Sequence, residues 1–143
     1  MTVAMILKDK GSKVHTISSD VSVEEATRRL RELHVGALVA MTGEGKIAGV
    51  FSERDLVRAV HQEGGAALSK PISTFMTKNV VTAKCEDTLD ELMNRMTSRR
   101  IRHLPVIKGG ALVGIVSIGD LVKTRIAETE CEAEALKQYI SAG

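Results

Sequence analysis

The sequence predicts an α+β fold, α/β sandwich-like in its layering, in which one β-α-β-β-α unit occurs twice and a helix follows. Three observations predict it: an internal repeat, helix-start signals at matching places in both copies, and a Gly-rich turn between paired apolar runs in each. Residues 14–61 align with residues 80–126, at an offset of 66 before the Gly-rich turn and 65 after it. Identical pairs include Thr16/Thr82, Glu25/Glu91, Arg29/Arg95, Gly49/Gly114, Ser52/Ser117 and Asp55/Asp120. Several of these are polar or glycine, so the match exceeds shared hydrophobicity and marks a duplicated supersecondary unit.

In the first copy, a strand near Thr16 leads to a helix opened by Ser22 with Glu25 three residues on, the spacing of a capping box. Val23, Ala26, Leu30 and Leu33 recur at helical spacing behind it. Two short apolar runs follow, Ala37–Met41 and Ile47–Phe51, with Thr42–Lys46 as the hairpin turn between them. A second helix starts at Ser52, where Ser-x-x-Asp is again a capping pattern. Between the copies lie Gly64-Gly65, the Lys70-Pro71 step and a short apolar turn, Ile72–Met76. The second copy predicts a strand over Val80–Thr82, a helix opened by Thr88 and Glu91, strands over Leu104–Ile107 and Leu112–Val116, and a helix from Ser117. Glu128–Ala142 then reads as a separate amphipathic helix with Cys131, Ala135, Leu136, Tyr139 and Ile140 roughly on one face. Each copy has fewer than 50 residues, close to the size at which a lone core becomes marginal, so the halves are expected to pack on each other with pseudo-two-fold symmetry.

Composition narrows the function. The 143 residues carry 20 Lys and Arg against 18 Asp and Glu, a net charge of +2, which supplies no global field for nucleic acid or an anionic membrane. The aromatic residues are Phe51, Phe75 and Tyr139 only, too few for a base-stacking platform. Cys85 and Cys131, 46 positions apart, form neither a metal knuckle nor a secreted disulfide framework, and a reducing cytoplasm fits them best. The apolar run Val3–Leu7 is too short for a signal-peptide core, and no stretch approaches a membrane span.

Catalytic motifs are sparse. Gly43, Gly45 and Gly49 miss the dinucleotide fingerprint by one residue and sit in a hairpin, while His15, His34, His61 and His103 lack metal-ligand spacing. Two features remain. The junctions Gly49–Asp55 and Gly114–Asp120 each end a strand in Ser and put Asp in the first turn of a helix. Helix-start N–H groups and the Ser hydroxyl can hold phosphate, and the carboxylate can accept from ribose hydroxyls; equally, Ser and Asp can form a capping box and nothing more. The basic run Arg99, Arg100, Arg102 and His103 either decorates a helix C-terminus or serves as an anion clamp.

The Gly-h-h-Ser-x-x-Asp junctions, the strand Arg102-His103-Leu104-Pro105-Val106, and Met76–Thr82 opening the second copy together resemble a tandem pair of CBS domains, the regulatory module named after cystathionine beta-synthase. The resemblance runs from about Met1 to Ala127, giving expected segments of 1–70 and 71–127 for the two domains and 128–143 for a C-terminal extension. It implies a non-enzymatic module that binds AMP or a related adenine nucleotide such as ATP, or NAD(H), in two clefts between the halves, with no metal. Thr16, Ala37, Thr82, Leu104 and Pro105 would lie at the adenine, Asp55 and Asp120 at the ribose, and Ser52, Arg54, Arg102, His103 and Ser117 at phosphate. The copies are unequal: Gly36, Ala37 and Val39 stand where the second has Arg102, His103 and Pro105, and Ile118-Gly119 replaces Glu53-Arg54. The resemblance further implies a homodimer and an unidentified regulated protein as partners, with neither nucleic acid nor membrane. Its alternative is a ligand-free dimerisation and interaction scaffold.

Overall fold

The computed structural model describes residues 1–142 and divides the chain into two compact units. One is Val14–Val81; the other joins Met1–Lys13 to the chain from Thr82 onward. This partition differs from the expected segments 1–70, 71–127 and 128–143, because residues 1–13 belong with the second copy and residues 71–81 with the first.

In the Val14–Val81 unit, β1 (Thr16–Ser18) lies parallel to β2 (Ala37–Met41), which pairs antiparallel with β3 (Ile47–Ser52). The connection from β1 to β2 runs through α2 (Val23–Leu33), whose apolar stripe Val23, Ala26 and Leu30 is buried. Burying Val23 and Leu30 contributes about 1.5–3 kcal/mol each. Ser22 caps α2 by accepting from the Glu25 amide at 3.1 Å. α3 (Glu53–Glu63) follows β3, and two short 3-10 turns, Gly64–Ser69 and Ile72–Thr74, return the chain to the sheet. Phe51, Leu38 and Ile72, all fully buried, centre a core that also takes in Ile17, Ala40, Ala59, Ala67 and Phe75.

In the other unit, α4 (Leu89–Arg99) is closed at its start by a complete Thr88–Glu91 capping box, and β4 (His103–Lys108) pairs antiparallel with β5 (Ala111–Ser117). The tight β4–β5 turn needs Gly109 and Gly110, both at positive φ (58° and 79°). The strand expected over Val80–Thr82 is absent: only an isolated parallel bridge, Ala83 to Val106, remains. Proline explains the difference. In the first copy the Val39 amide donates to the His15 carbonyl at 3.2 Å and fastens β1; the equivalent position is Pro105, which has no N–H to give.

One run without an assigned element forms a helix, and one further expectation is corrected. The run Val3–Leu7 is part of a helix, α1 (Val3–Lys10), with Val3, Ile6 and Leu7 buried. Glu128–Ala142 is not a separate helix but the end of α5 (Ile118–Ala142), 25 residues without a break. No Gly or Pro interrupts residues 120–142, so nothing stops the helix at Ala127.

Each copy is completed by the segment that precedes the other. Gly49 in β3 is approached by Thr77 and Met76, and Thr77 exchanges both backbone hydrogen bonds with Val50, at 3.0 and 2.9 Å. Gly114, its repeat equivalent in β5, is covered by Leu7 of α1. The amides of Val3 and Ala4 donate to the Asp87 and Cys85 carbonyls at 2.9 and 3.0 Å, fixing the start of α1 in that unit.

Candidate functional site

The predicted site residues fall into two matching sets, one in each unit. In both, the strand pairing brings the end of one strand to the start of the second helix. Ala37 pairs with Ser52 and His103 with Ser117. The carbonyls of Gly36 and Arg102 accept from the first amides of the following helices, Glu53 at 3.0 Å and Ile118 at 2.8 Å. Thr16 is exposed on β1 opposite Val39, whereas Thr82 is exposed outside any strand, its carbonyl accepting from Arg95 at 3.1 Å. Ala37, Leu104 and Pro105 are buried, so their backbone groups, rather than their side chains, define the strand edge. Arg54 and Arg102 are exposed and His103 is half-buried.

Both serines make the capping boxes anticipated for them. The Ser52 amide and hydroxyl donate to Asp55 Oδ2 at 2.9 and 3.1 Å, and the Asp55 amide donates back to Ser52 Oγ at 3.4 Å. At the second junction, the Ser117 amide and hydroxyl donate to Asp120 Oδ2 at 2.8 and 2.9 Å, and the Asp120 amide donates to Ser117 Oγ at 3.2 Å. Capping places each carboxylate at a helix N-terminus, where the backbone dipole favours its charge.

Beyond the boxes the two carboxylates part company. The Asp55 side chain is 3% exposed, and its Oδ1 accepts from Arg58 Nη2 at 2.5 Å and Thr77 Oγ1 at 3.3 Å. Arg58 also donates to the Phe75 carbonyl at 2.9 Å, so it ties the returning chain to α3. Asp120 keeps 23% of its side chain exposed and takes its cation from far along the sequence: Lys10 Nζ donates to Asp120 Oδ2 at 2.5 Å and to the Ile115 carbonyl at 2.6 Å. Burial pushes the Asp120 carboxyl up, but the hydrogen bonds from Lys10 and Ser117 and the charge of Lys10 outweigh it and hold it below the ordinary aspartate value.

Sequence reasoning missed Arg58, Thr77 and Lys10. Arg58 was within reach of it, since Asp and Arg three apart on a helix face one another. Lys10 was not, because 110 residues separate it from Asp120. Arg99 ends α4, and Arg100 is the left-handed residue that follows it, φ 54°, as His34 follows α2 at the same φ. This part of the basic run thus lies at a helix C-terminus, where positive charge is favoured.

No set of three or more His, Cys, Asp or Glu among the described residues could hold a metal ion. No helix among them is long and apolar enough to cross a membrane.

Known proteins share this architecture. The chain is 33% identical over 150 residues to the mitochondrial CBS domain-containing protein CBSX3 of Arabidopsis thaliana, covering 99% of this chain and 73% of that protein. A CBS-domain-containing protein from Agrobacterium tumefaciens superposes with a TM-score of 0.85 at 46% identity, over 87% of this chain and 92% of that one. The CBS domain pair of protein MJ0100, crystallised with 5′-methylthioadenosine and S-adenosyl-L-methionine, superposes with a TM-score of 0.79 at 26% identity, over 90% of this chain and 98% of its own. The pattern of the CBS domain itself matches residues 10–62 and 72–126, and the chain belongs to the CBS domain family as a tandem pair.

Proposed function

We propose that this CBS pair is a regulatory module that binds an adenosine-containing ligand, AMP or a related adenine nucleotide, with NAD(H) and S-adenosyl compounds in the same chemical class, and passes its occupancy to a partner protein. The observation that carries this reading is the accessible Asp120 carboxylate at a Ser-capped helix start, where a vicinal diol can replace the Lys10 ammonium as donor. The MJ0100 pair, with its two adenosyl ligands, supports the ligand class. Thr82 and the backbone at Leu104 and Pro105 would border the adenine, and Ser117, Arg102 and His103 would face the phosphate. Lys10, released from Asp120, would stay beside the Ile115 carbonyl as a further cation for the ligand's anionic end. Asp55 is proposed as a structural group, since Arg58, Thr77 and Ser52 already occupy its buried carboxylate.

Thermal unfolding of ligand-stripped protein tests the proposal, with AMP, ATP, NAD, NADH, S-adenosylmethionine and 5′-methylthioadenosine against GMP as control. A ligand at about 100 times its dissociation constant stabilises by about 2.7 kcal/mol, a rise of several degrees. A rise with an adenine ligand and none with GMP is expected. No rise with any adenine ligand overturns the proposal in favour of the ligand-free scaffold. Ligand affects a partner only through its differential affinity for the two states of the module, so the same ligand must also change the partner's affinity.

A further inference from the structure

The last buried residue of α5 is Leu121, and every residue from Thr129 to Ala142 is exposed. A helical stretch of that length is marginal in water unless something packs against it. Its exposed face is patterned: Val122, Ile126, Thr129, Ala133, Leu136 and Ile140 alternate spacings of 4 and 3. Val122 is 45% exposed, Ile126 53%, Leu136 59% and Ile140 67%. In heptad terms Ile126, Ala133 and Ile140 occupy a, and Val122, Thr129 and Leu136 occupy d. The Thr129 hydroxyl is already satisfied by the Arg125 carbonyl at 3.0 Å, so it can be covered without loss.

We propose that this face is an interface with a second copy of the chain, in which the two α5 helices pair in parallel and in register as a two-stranded coiled coil over residues 122–140. The flanking charges choose the occupant and its direction. Lys123, Glu130 and Lys137 fall at e; Arg125 and Glu132 fall at g. Parallel helices bring g against the partner's e five residues on, which sets Arg125 against Glu130 of the partner subunit and Glu132 against Lys137 of the partner subunit, both opposite in sign. The antiparallel alternative that matches a to d sets Lys123 against Lys137, Glu130 against itself and Glu132 against itself, each pair like in sign. Within a parallel arrangement, β-branched Ile126 and Ile140 at a with Leu136 at d suit two strands. Arg125 also binds Asp90 and Glu128 within its own chain, so pairing with the partner subunit adds to or replaces contacts it already makes.

The test uses the full chain with Cys85→Ser, Cys131→Ser and Leu136→Cys in a thiol redox buffer, read as interchain disulfide on a non-reducing gel. Parallel pairing places the two introduced thiols side by side at a d position. In the antiparallel register, residue 136 faces residue 126, and its own copy lies about 15 Å along the axis, beyond disulfide reach. Dimer crosslinking is expected. Adding Lys137→Glu should slow it about fivefold, because two attractive pairs per dimer become repulsive, and adding Glu132→Lys as well should restore it. The antiparallel arrangement predicts instead that Lys137→Glu strengthens association, by facing Lys123. Absence of crosslinking, a monomeric mass at equilibrium, or crosslinking indifferent to charge would each overturn the proposal.

Discussion

Asp55 and Asp120 hold the same place in the two copies, yet removing each carboxylate should damage different properties. Asp55→Ala deletes a buried acceptor of four donors, the Ser52 amide and hydroxyl, Arg58 and Thr77. Loss of the cap costs about 1 kcal/mol, and loss of the part-buried, charge-assisted bond to Arg58 about 2 more. At about 4 °C per kcal/mol for a chain of this size, the melting midpoint falls by about 12 °C. Asp120→Ala loses a comparable cap, but its ion pair with Lys10 lies near the surface and contributes about 0.5 kcal/mol, so the fall is about 6 °C. Ligand affinity should show the opposite order. Asp120→Ala removes the proposed ribose acceptor and lowers affinity by about 1.5–3 kcal/mol, whereas Asp55→Ala, measured well below its midpoint, leaves affinity near wild type. Circular dichroism melts and isothermal titration with the adenine ligand that stabilises the wild type supply both quantities. Equal destabilisation by the two substitutions, or loss of binding in Asp55→Ala alone, would refute the distinction between a structural and a ligand-facing carboxylate.

Gly49→Ala should destabilise more than Gly114→Ala by urea unfolding. A Cβ at Gly49 meets the Thr77 carbonyl oxygen at 2.6 Å, which is backbone and cannot step aside, while one at Gly114 meets the Leu7 methyls at 2.8 Å, which can rotate away. Stability should also fall in acid. The carboxyls of Asp87 and Asp120 are held below their ordinary values in the fold, so their contribution is fully present above the unfolded value of about 4 and is lost as pH drops through the lower folded values. Lys10→Met should make the acid limb shallower by the part of the Asp120 share that Lys10 supplies, the Ser117 bonds remaining, measured as unfolding free energy between about pH 6 and 2.

The duplicated skeleton was legible because its signals are local. Ser22, Ser52 and Thr88 each bind the amide three residues ahead, and the apolar stripes of α2 and α4 follow those caps directly. What stayed hidden depends on partners distant in sequence. Nothing around Val3–Leu7 announces that Leu7 will cover Gly114, since the pairing exists only after β5 has formed. The missing strand before Ala83 follows from one residue, Pro105, whose lost donor matters only because its repeat equivalent Val39 uses one. The unequal carboxylates have a similar origin. Arg58 reaches Asp55 from its own helix, the equivalent residue in α5 is Lys123, and the Asp120 charge is met instead by Lys10.

The exchange of lead segments bears on how the chain is made. Helix α1 leaves the ribosome about a hundred residues ahead of the strand that receives it: Val3, Ile6 and Leu7 are among its apolar residues, and that strand runs from Ala111 to Ser117. At about 5–20 residues per second, that strand is synthesised some 5–20 s later. During this wait Val14–Val81, contiguous and complete, has time to fold, while the N-terminal helix remains without its docking surface. Translation speed across the second copy therefore sets how long an apolar helix is open to capture by chaperones or by neighbouring chains.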